Sequence, residues 1–250
     1  MKLDRTFNTL GIVGYGAFGK LIAHYLFPHF DINVYDPAIA AEDNTGIDRI
    51  NVVNLRSAAS CDIVVLAVPV ARMEEVIRDL LPYLAPDAIV VDVGSVKMSS
   101  VSAMTRLIPE TVEVIGTHPL FGPQSAKAGI EGRKIVVCPV RGRHARRAGA
   151  FFRKVLGLNV IFASPEKHDR EMAVVQGITH LVAKVLVEME PLPTAMTTAS
   201  FDFLMAAVDL VRYDSPDVFC AIEHENPFAS GVRTNFADII NEYNRHPSKY

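Results

Sequence analysis

The sequence predicts an α/β protein, a doubly wound and mostly parallel sheet followed by an all-helical carboxyl-terminal domain. Three observations carry that expectation. From Leu10 to Ile161, short Val- and Ile-rich runs alternate with amphipathic segments, the pattern of parallel strands joined by crossover helices. Two of the runs, Ile63-Val64-Val65-Leu66-Ala67-Val68 and Ile89-Val90-Val91, are apolar on consecutive residues, as strands covered by helices on both faces are. Beyond Ser164-Pro165 the alternation stops and helical periodicity takes over.

In chain order, the pattern places strands near 10–14, 32–36, 51–53, 62–68, 88–93, 112–116, 134–138 and 159–162. Ser164 and Pro165 form a helix start, and the run that follows meets no breaker until about Glu190, a helix of about 38 Å at 1.5 Å per residue. Pro191 and Pro193 end it, and further helices are expected over 195–212, 216–225 and 228–245, bounded by Asp214-Ser215-Pro216 and Asn226-Pro227. The expected domains are therefore 1–163 and 164–250. A long apolar helix in a unit too small for a generous core predicts homodimerisation through the carboxyl-terminal helices.

With 250 residues, half of them hydrophobic, the chain has material for a sizeable core. Its longest apolar run, Ile63 to Ala71, has nine residues and contains Pro69, too short to span a bilayer. The opening residues lack the regions of a secretory signal, so the expected location is cytoplasmic. Cys61, Cys138 and Cys220 are odd in number and widely spaced, which predicts buried thiols rather than disulfides, and no metal-ligand pattern is present. A net charge of -3 gives no electrostatic reason to bind nucleic acid, and Arg141, Arg143, Arg146 and Arg147 read as a solvated helix start.

The most informative local motif is a strand, Leu10-Gly11-Ile12-Val13, followed by Gly14-Tyr15-Gly16-Ala17-Phe18-Gly19 and an amphipathic helix. Gly14 permits the tight turn, Gly16 allows close approach of a pyrophosphate, and Gly19 allows the helix to pack on the strand. A second strand ends in Asp36, 22 residues after Gly14, where a carboxylate accepts the ribose hydroxyls and repels a 2′-phosphate. This is the Rossmann dinucleotide-binding arrangement, with NAD as the expected cofactor. Tyr15, Ala17 and Phe18 lie within the same turn, and Val68-Pro69 closes another strand where the crevice opens.

Two more segments follow strands at that crevice, Asp92-Val93-Gly94-Ser95-Val96-Lys97 and Gly116-Thr117-His118-Pro119-Leu120-Phe121-Gly122-Pro123. On the long helix, His168, Met172, Gln176 and His180 are spaced by four and form one stripe. Ser95 also reads as a helix cap, His180 as a core histidine bonded to a carbonyl, and Lys97 as either a loop anchor or an exposed residue.

Together, Gly94-Ser95-Val96-Lys97, His118-Pro119-Leu120-Phe121-Gly122-Pro123 and Gln176-Gly177-Ile178-Thr179-His180 resemble the prephenate and arogenate dehydrogenases of tyrosine biosynthesis. The resemblance spans essentially the whole chain, and in that family a Rossmann domain precedes a helical dimerisation domain. It implies NAD-dependent oxidative decarboxylation of prephenate or arogenate. His118 then accepts the 4-hydroxyl proton, and Ser95 hydrogen-bonds the same hydroxyl. Gln176 and His180 match positions that shape the substrate pocket, and Gln124 falls where a gating side chain is expected. The sequence departs from the family at Ser200-Phe201-Asp202-Phe203-Leu204-Met205-Ala206, where many members carry an arginine for a substrate carboxylate; Arg212 is the nearest substitute.

Two alternatives stand beside this expectation. A β-hydroxyacid dehydrogenase would place a catalytic lysine on the long helix, where only Lys184 is available, outside such a motif. A non-catalytic NAD-sensing module would use the helical part as a partner surface. Aminodeoxyprephenate oxidation lies within the resembling family itself.

Overall fold

Val- and Ile-rich runs become the strands of one eight-stranded sheet in a computed structural model that describes residues 7–39 and 49–246. The strands are β1 (Thr9–Val13), β2 (Asp31–Tyr35), β3 (Ile50–Val52), β4 (Ile63–Leu66), β5 (Ile89–Asp92), β6 (Glu113–Pro119), β7 (Lys134–Arg141) and β8 (Asn159–Phe162). Their order is β3-β2-β1-β4-β5-β6-β7-β8. The chain winds from β1 to one edge and resumes at β4 on the other side of β1, so β1 and β4 flank the point where winding reverses.

The chain divides into two compact units, Met1–Pro165 and Glu166–Tyr250. In the first, helices α1 (Ala17–Leu26), α2 (Leu55–Ala59), α3 (Met73–Leu80), α4 (Lys97–Leu107) and α5 (Ala145–Lys154) cover the sheet. Alternation along the strands explains the continuous apolar runs. Val64 and Leu66 pack with Met73, Ile77 and Met104 in one cluster, while Val65 packs with Ile12, Ala23 and Val34 in another.

One connection departs from the expected parallel pattern. Between β6 and β7 the chain makes turns rather than a helix, and β7 returns antiparallel to β6, with His118 opposite Val136 and Pro119 opposite Ile135. A parallel return needs a crossover, and residues 120–133 build none. The added pairing also extends β6 beyond its expected end, so His118 and Pro119 stand in a strand rather than a loop.

The second unit is helical among its described residues: α6 (Pro165–Glu188), α7 (Ala199–Val211), α8 (Pro216–Cys220), which continues as a π-helical turn over Ala221–Glu225, and α9 (Ala229–Arg245). Thr198 and Ser215 cap α7 and α8 by accepting from the Phe201 and Val218 amides. The buried face of α6 contains His168, Met172, Ala173, Gly177 and His180, while Val174, Val175, Val185 and Met189 are exposed. On α6, His168, Asp169 and His180 are thus buried while Val174, Val175 and Val185 are exposed.

Cys61 and Cys138 are buried, but Cys220 is exposed, which corrects the expectation for that residue. Asp217 and Cys220, three residues apart, share the outer face of α8. Arg141 also departs from a freely solvated role, donating to the carbonyls of Ile108, Pro109 and Val112, while Arg143, Arg146 and Arg147 remain exposed. No described helix is long and apolar enough to cross a membrane.

Candidate active site

Because β1, β2, β4, β5 and β6 run parallel, their carboxyl ends share one edge of the sheet. Gly14, Asp36, Val68-Pro69, Ser95 and His118 all stand at that edge. The glycine turn differs at each of its three positions. Gly14 has φ +99, and a Cβ there would lie 2.3 Å from the Ala67 carbonyl oxygen and 3.1 Å from Val68 Cγ1. A Cβ on Gly19 would lie 2.1 Å from the Gly14 carbonyl oxygen, which is how closely α1 packs on the turn. Gly16 has nothing within 4 Å of its Cβ position, and as the N-cap of α1 it supplies no capping side chain. The start of α1 thus has no side-chain cap and has open space at Gly16, as close approach of a phosphate requires.

Asp36 is positioned by the same turn. Its Oδ2 accepts from the Tyr15 amide at 2.8 Å and its Oδ1 from the Ala38 amide at 2.9 Å, while the Gly14 amide donates to Tyr35 O at 2.8 Å. Each carboxylate oxygen retains acceptor capacity for a ribose hydroxyl. Open space at Gly16, an uncapped α1 and this carboxylate fit the binding of a dinucleotide. The Tyr15 ring is buried and packs with Ile12 and Val34, and that burial raises its hydroxyl above the ordinary tyrosine range. Phe18, on the first turn of α1, lines a cavity instead.

The β5 and β6 ends form the second part of the site. Ser95 is half-buried and is not the cap of α4, because Val96 occupies that position without a side-chain bond. Of the two readings of Lys97, the exposed one is corrected: its side chain is 0% accessible and pairs with the equally buried Asp92. His118 is 5% accessible. Gln124 lies half-buried in the turns after β6.

A cavity of about 590 Å³ opens on one face of the sheet between α1 and α5, lined among others by Val91, Ile115, Thr117, Pro119, Phe121 and Phe151. His118 does not line it. Successive strand residues point to opposite faces, so His118 shares the face of Gly116, whose Cβ position meets Val101 of α4. The cavity and the imidazole therefore belong to opposite faces of β6.

In the helical unit, His180 Nδ1 lies 2.9 Å from Gln176 O and Nε2 lies 3.2 Å from Asp214 Oδ2. Arg212 bonds Glu190 at 2.7 Å and Asp209 at 3.1 Å, and these carboxylates, Asp209 first, push its guanidinium further above its usual range. The same unit holds buried Glu223, bonded to Arg233 at 2.8 Å, and the His168–Asp169 pair at 2.7 Å, with Asn226 donating to Asp169 O at 2.8 Å.

Sequence reasoning assigned no role to Asp92, Asp214 or Glu223. An aspartate that ends an apolar strand five residues before a lysine was an available signal for Asp92. Asp214 lies 34 residues from His180, and no local pattern couples them.

Two family models match the chain: prephenate dehydrogenase, nucleotide-binding domain, over residues 31–156, and prephenate dehydrogenase, dimerization domain, over residues 164–245. A probable arogenate/prephenate dehydrogenase of Methanocaldococcus jannaschii is 28% identical over 96% of the chain. Arogenate dehydrogenase 1, chloroplastic, of Arabidopsis thaliana is 26% identical over 84%. The chain spans 57% of the first relative and 35% of the second. Among solved structures, a prephenate dehydrogenase from Aquifex aeolicus superposes with a TM-score of 0.72 at 25% identity, covering 98% of this chain and 93% of that one. With an eight-stranded dinucleotide-binding fold, a helical second unit and both family models matched in order, the chain belongs to the prephenate dehydrogenase family.

Proposed function

We propose that the chain is an NAD-dependent dehydrogenase that oxidatively decarboxylates prephenate or arogenate in tyrosine biosynthesis. The observation that carries this reading is the shared sheet edge, where the glycine turn and Asp36 stand beside the strand ends bearing Ser95 and His118. Residues 1–163 serve as the cofactor domain and 164–250 as the substrate and dimerisation domain.

Gly14 and Gly19 shape the turn, and Gly16 with the uncapped α1 receives the pyrophosphate. Tyr15, Ala17 and Phe18 complete that turn, and Val68 and Pro69 border it. Asp36 binds the adenosine ribose and disfavours a 2′-phosphate. NAD bound there supplies the hydride acceptor. The His118 imidazole accepts the proton of the substrate 4-hydroxyl as hydride leaves the same ring carbon, and Ser95 hydrogen-bonds that hydroxyl. Cleavage of the ring-carboxylate bond then releases carbon dioxide, and its electron pair completes the aromatic ring. Gln124, Gln176 and His180 shape the substrate pocket. Arg212 has two of its five N–H donors committed to carboxylates, and those that remain are the means by which it binds a substrate carboxylate.

Exposed Val174, Val175 and Val185 on α6, Met189 just beyond its end, and Phe203 and Leu210 on α7 support a homodimer formed through the helical unit. We also assign the chain to the cytoplasm. The deciding assay follows NAD reduction with prephenate and arogenate side by side. His118→Asn should lower turnover by about 10²- to 10⁴-fold while NAD binding is retained. Oxidation of neither compound by the unaltered chain refutes the activity, and sedimentation as a monomer at micromolar concentration refutes the dimer.

A further inference from the structure

Lys97 is the first residue of α4, yet its side chain runs inward and none of it reaches solvent. Its Nζ meets Asp92 Oδ2 and also donates to Thr117 O at 2.6 Å. Asp92 Oδ2 accepts the Gly94 amide at 3.1 Å, and the Thr117 hydroxyl donates to Asp92 O at 2.6 Å. The cluster thus joins the end of β5, the start of the segment carrying Ser95, and the peptide plane linking Thr117 to His118.

Its location follows from the sheet. Pairing of β5 with β6 ends at Asp92 opposite Gly116, and beyond that point β6 is held by strand pairing only on its β7 side. Lys97 supplies the missing partner on the other side. Gly94 and Gly116 flank the carboxylate, their Cβ positions lying at ordinary contact distances of 3.4 and 3.5 Å from its two oxygens. Asp92 Oδ1 is buried without a hydrogen-bond partner among the described residues. A buried ion pair with one oxygen unsatisfied is a poor device for stability, because apolar groups of equal volume serve as well or better. It is well suited to fixing where two backbone segments sit.

We propose that Lys97 and Asp92 are positioning residues that hold the Ser95 segment and the His118 peptide in register for proton transfer. This rests on the functional reading of Ser95 and His118 given above. The pair acts through the backbone and touches neither substrate nor cofactor.

The test uses the full chain with Lys97→Met and the double variant D92N/K97M, which removes both charges at similar volume. Each is measured for kcat, KM, the pH profile of kcat/KM, NADH binding by fluorescence, thermal unfolding, and the His118 ring resonance by NMR, assigned with His118→Asn. Loss of alignment should lower kcat by about 10- to 100-fold in both variants, with KM and NADH affinity within about threefold. It should also shift the pH profile and the His118 resonance. A wild-type resonance and unchanged kcat in a folded variant would overturn the proposal. Failure of both variants to fold would assign the pair to stability and overturn it too. The NMR readout stands even if neither prephenate nor arogenate is oxidised, so failure of the functional reading and failure of this proposal are distinguishable.

Discussion

Replacing Gly19 with alanine puts a methyl carbon 2.1 Å from the Gly14 carbonyl oxygen and 3.0 Å from its carbon. Both are backbone atoms of a turn that is itself fixed, because the Gly14 amide donates to Tyr35 O and its Cβ position abuts Ala67. No side chain can move aside to relieve the contact. Reaching an ordinary 3.4 Å separation requires α1 to withdraw by more than an ångström from the sheet, and overpacking on this scale costs about 1–3 kcal/mol. For a chain of this size that lowers Tm by about 2–12 °C. The withdrawal also carries the first amides of α1 away from the turn, so NAD affinity falls with stability. Gly16→Ala is the matched control, since the added methyl meets no protein atom within 4 Å at a φ of -68 that alanine readily adopts. It should leave stability within about 0.5 kcal/mol and still weaken NAD, because the methyl occupies space the pyrophosphate needs. Thermal unfolding and NADH titration on the two variants separate the effects. A Gly16→Ala chain that binds NAD like the wild type, or a Gly19→Ala chain of undiminished Tm, would refute this account of the turn.

Three further outcomes are expected. Asp36→Asn should weaken NAD by about tenfold and narrow its advantage over NADP, since the charge that repels a 2′-phosphate is gone and charged hydrogen bonds to ribose are lost; paired titrations measure both. Asn226→Ala should destabilise the helical unit by about 1–3 kcal/mol, because Asp169 O loses its buried donor and the Phe228 amide its acceptor, as read by denaturant unfolding. Burial raises the Glu225 carboxyl above the ordinary glutamate range. The native state therefore holds that proton more tightly than the unfolded chain, so stability falls as pH rises from the unfolded value into the raised one. Glu225→Gln should flatten that part of the stability profile, and an unchanged slope in unfolding experiments across mildly acidic pH would argue against the burial effect.

The two halves of the site were legible in the sequence to different degrees. The glycine turn and Asp36 could be read because each requirement is local: a backbone conformation, an absent side chain, or an acid at a strand end. His118 and Ser95 were visible only as members of recurring segments. Their placement within an extended strand and beside an uncapped helix start depended on β7 and α4. The burial of Lys97 was not legible for the same reason. A charged residue at the first position of a helix is solvated unless a distant segment closes over it, and here Thr117, 20 residues away, does so. The exposure of Cys220 likewise depended on the orientation of one short helix.

The sequence by itself determined the strand runs, the dinucleotide turn, the carboxylate expected to face the ribose and the change to helices near Ser164. All are encoded within a few residues by periodicity, glycine sterics and proline. Tertiary structure alone decided that β7 turns antiparallel, that Asp92 and Lys97 meet while fully buried, and that His180 pairs with Asp214. Those contacts join residues whose proximity is set by packing of the whole sheet or bundle, and neither spacing nor residue type along the chain carries that information.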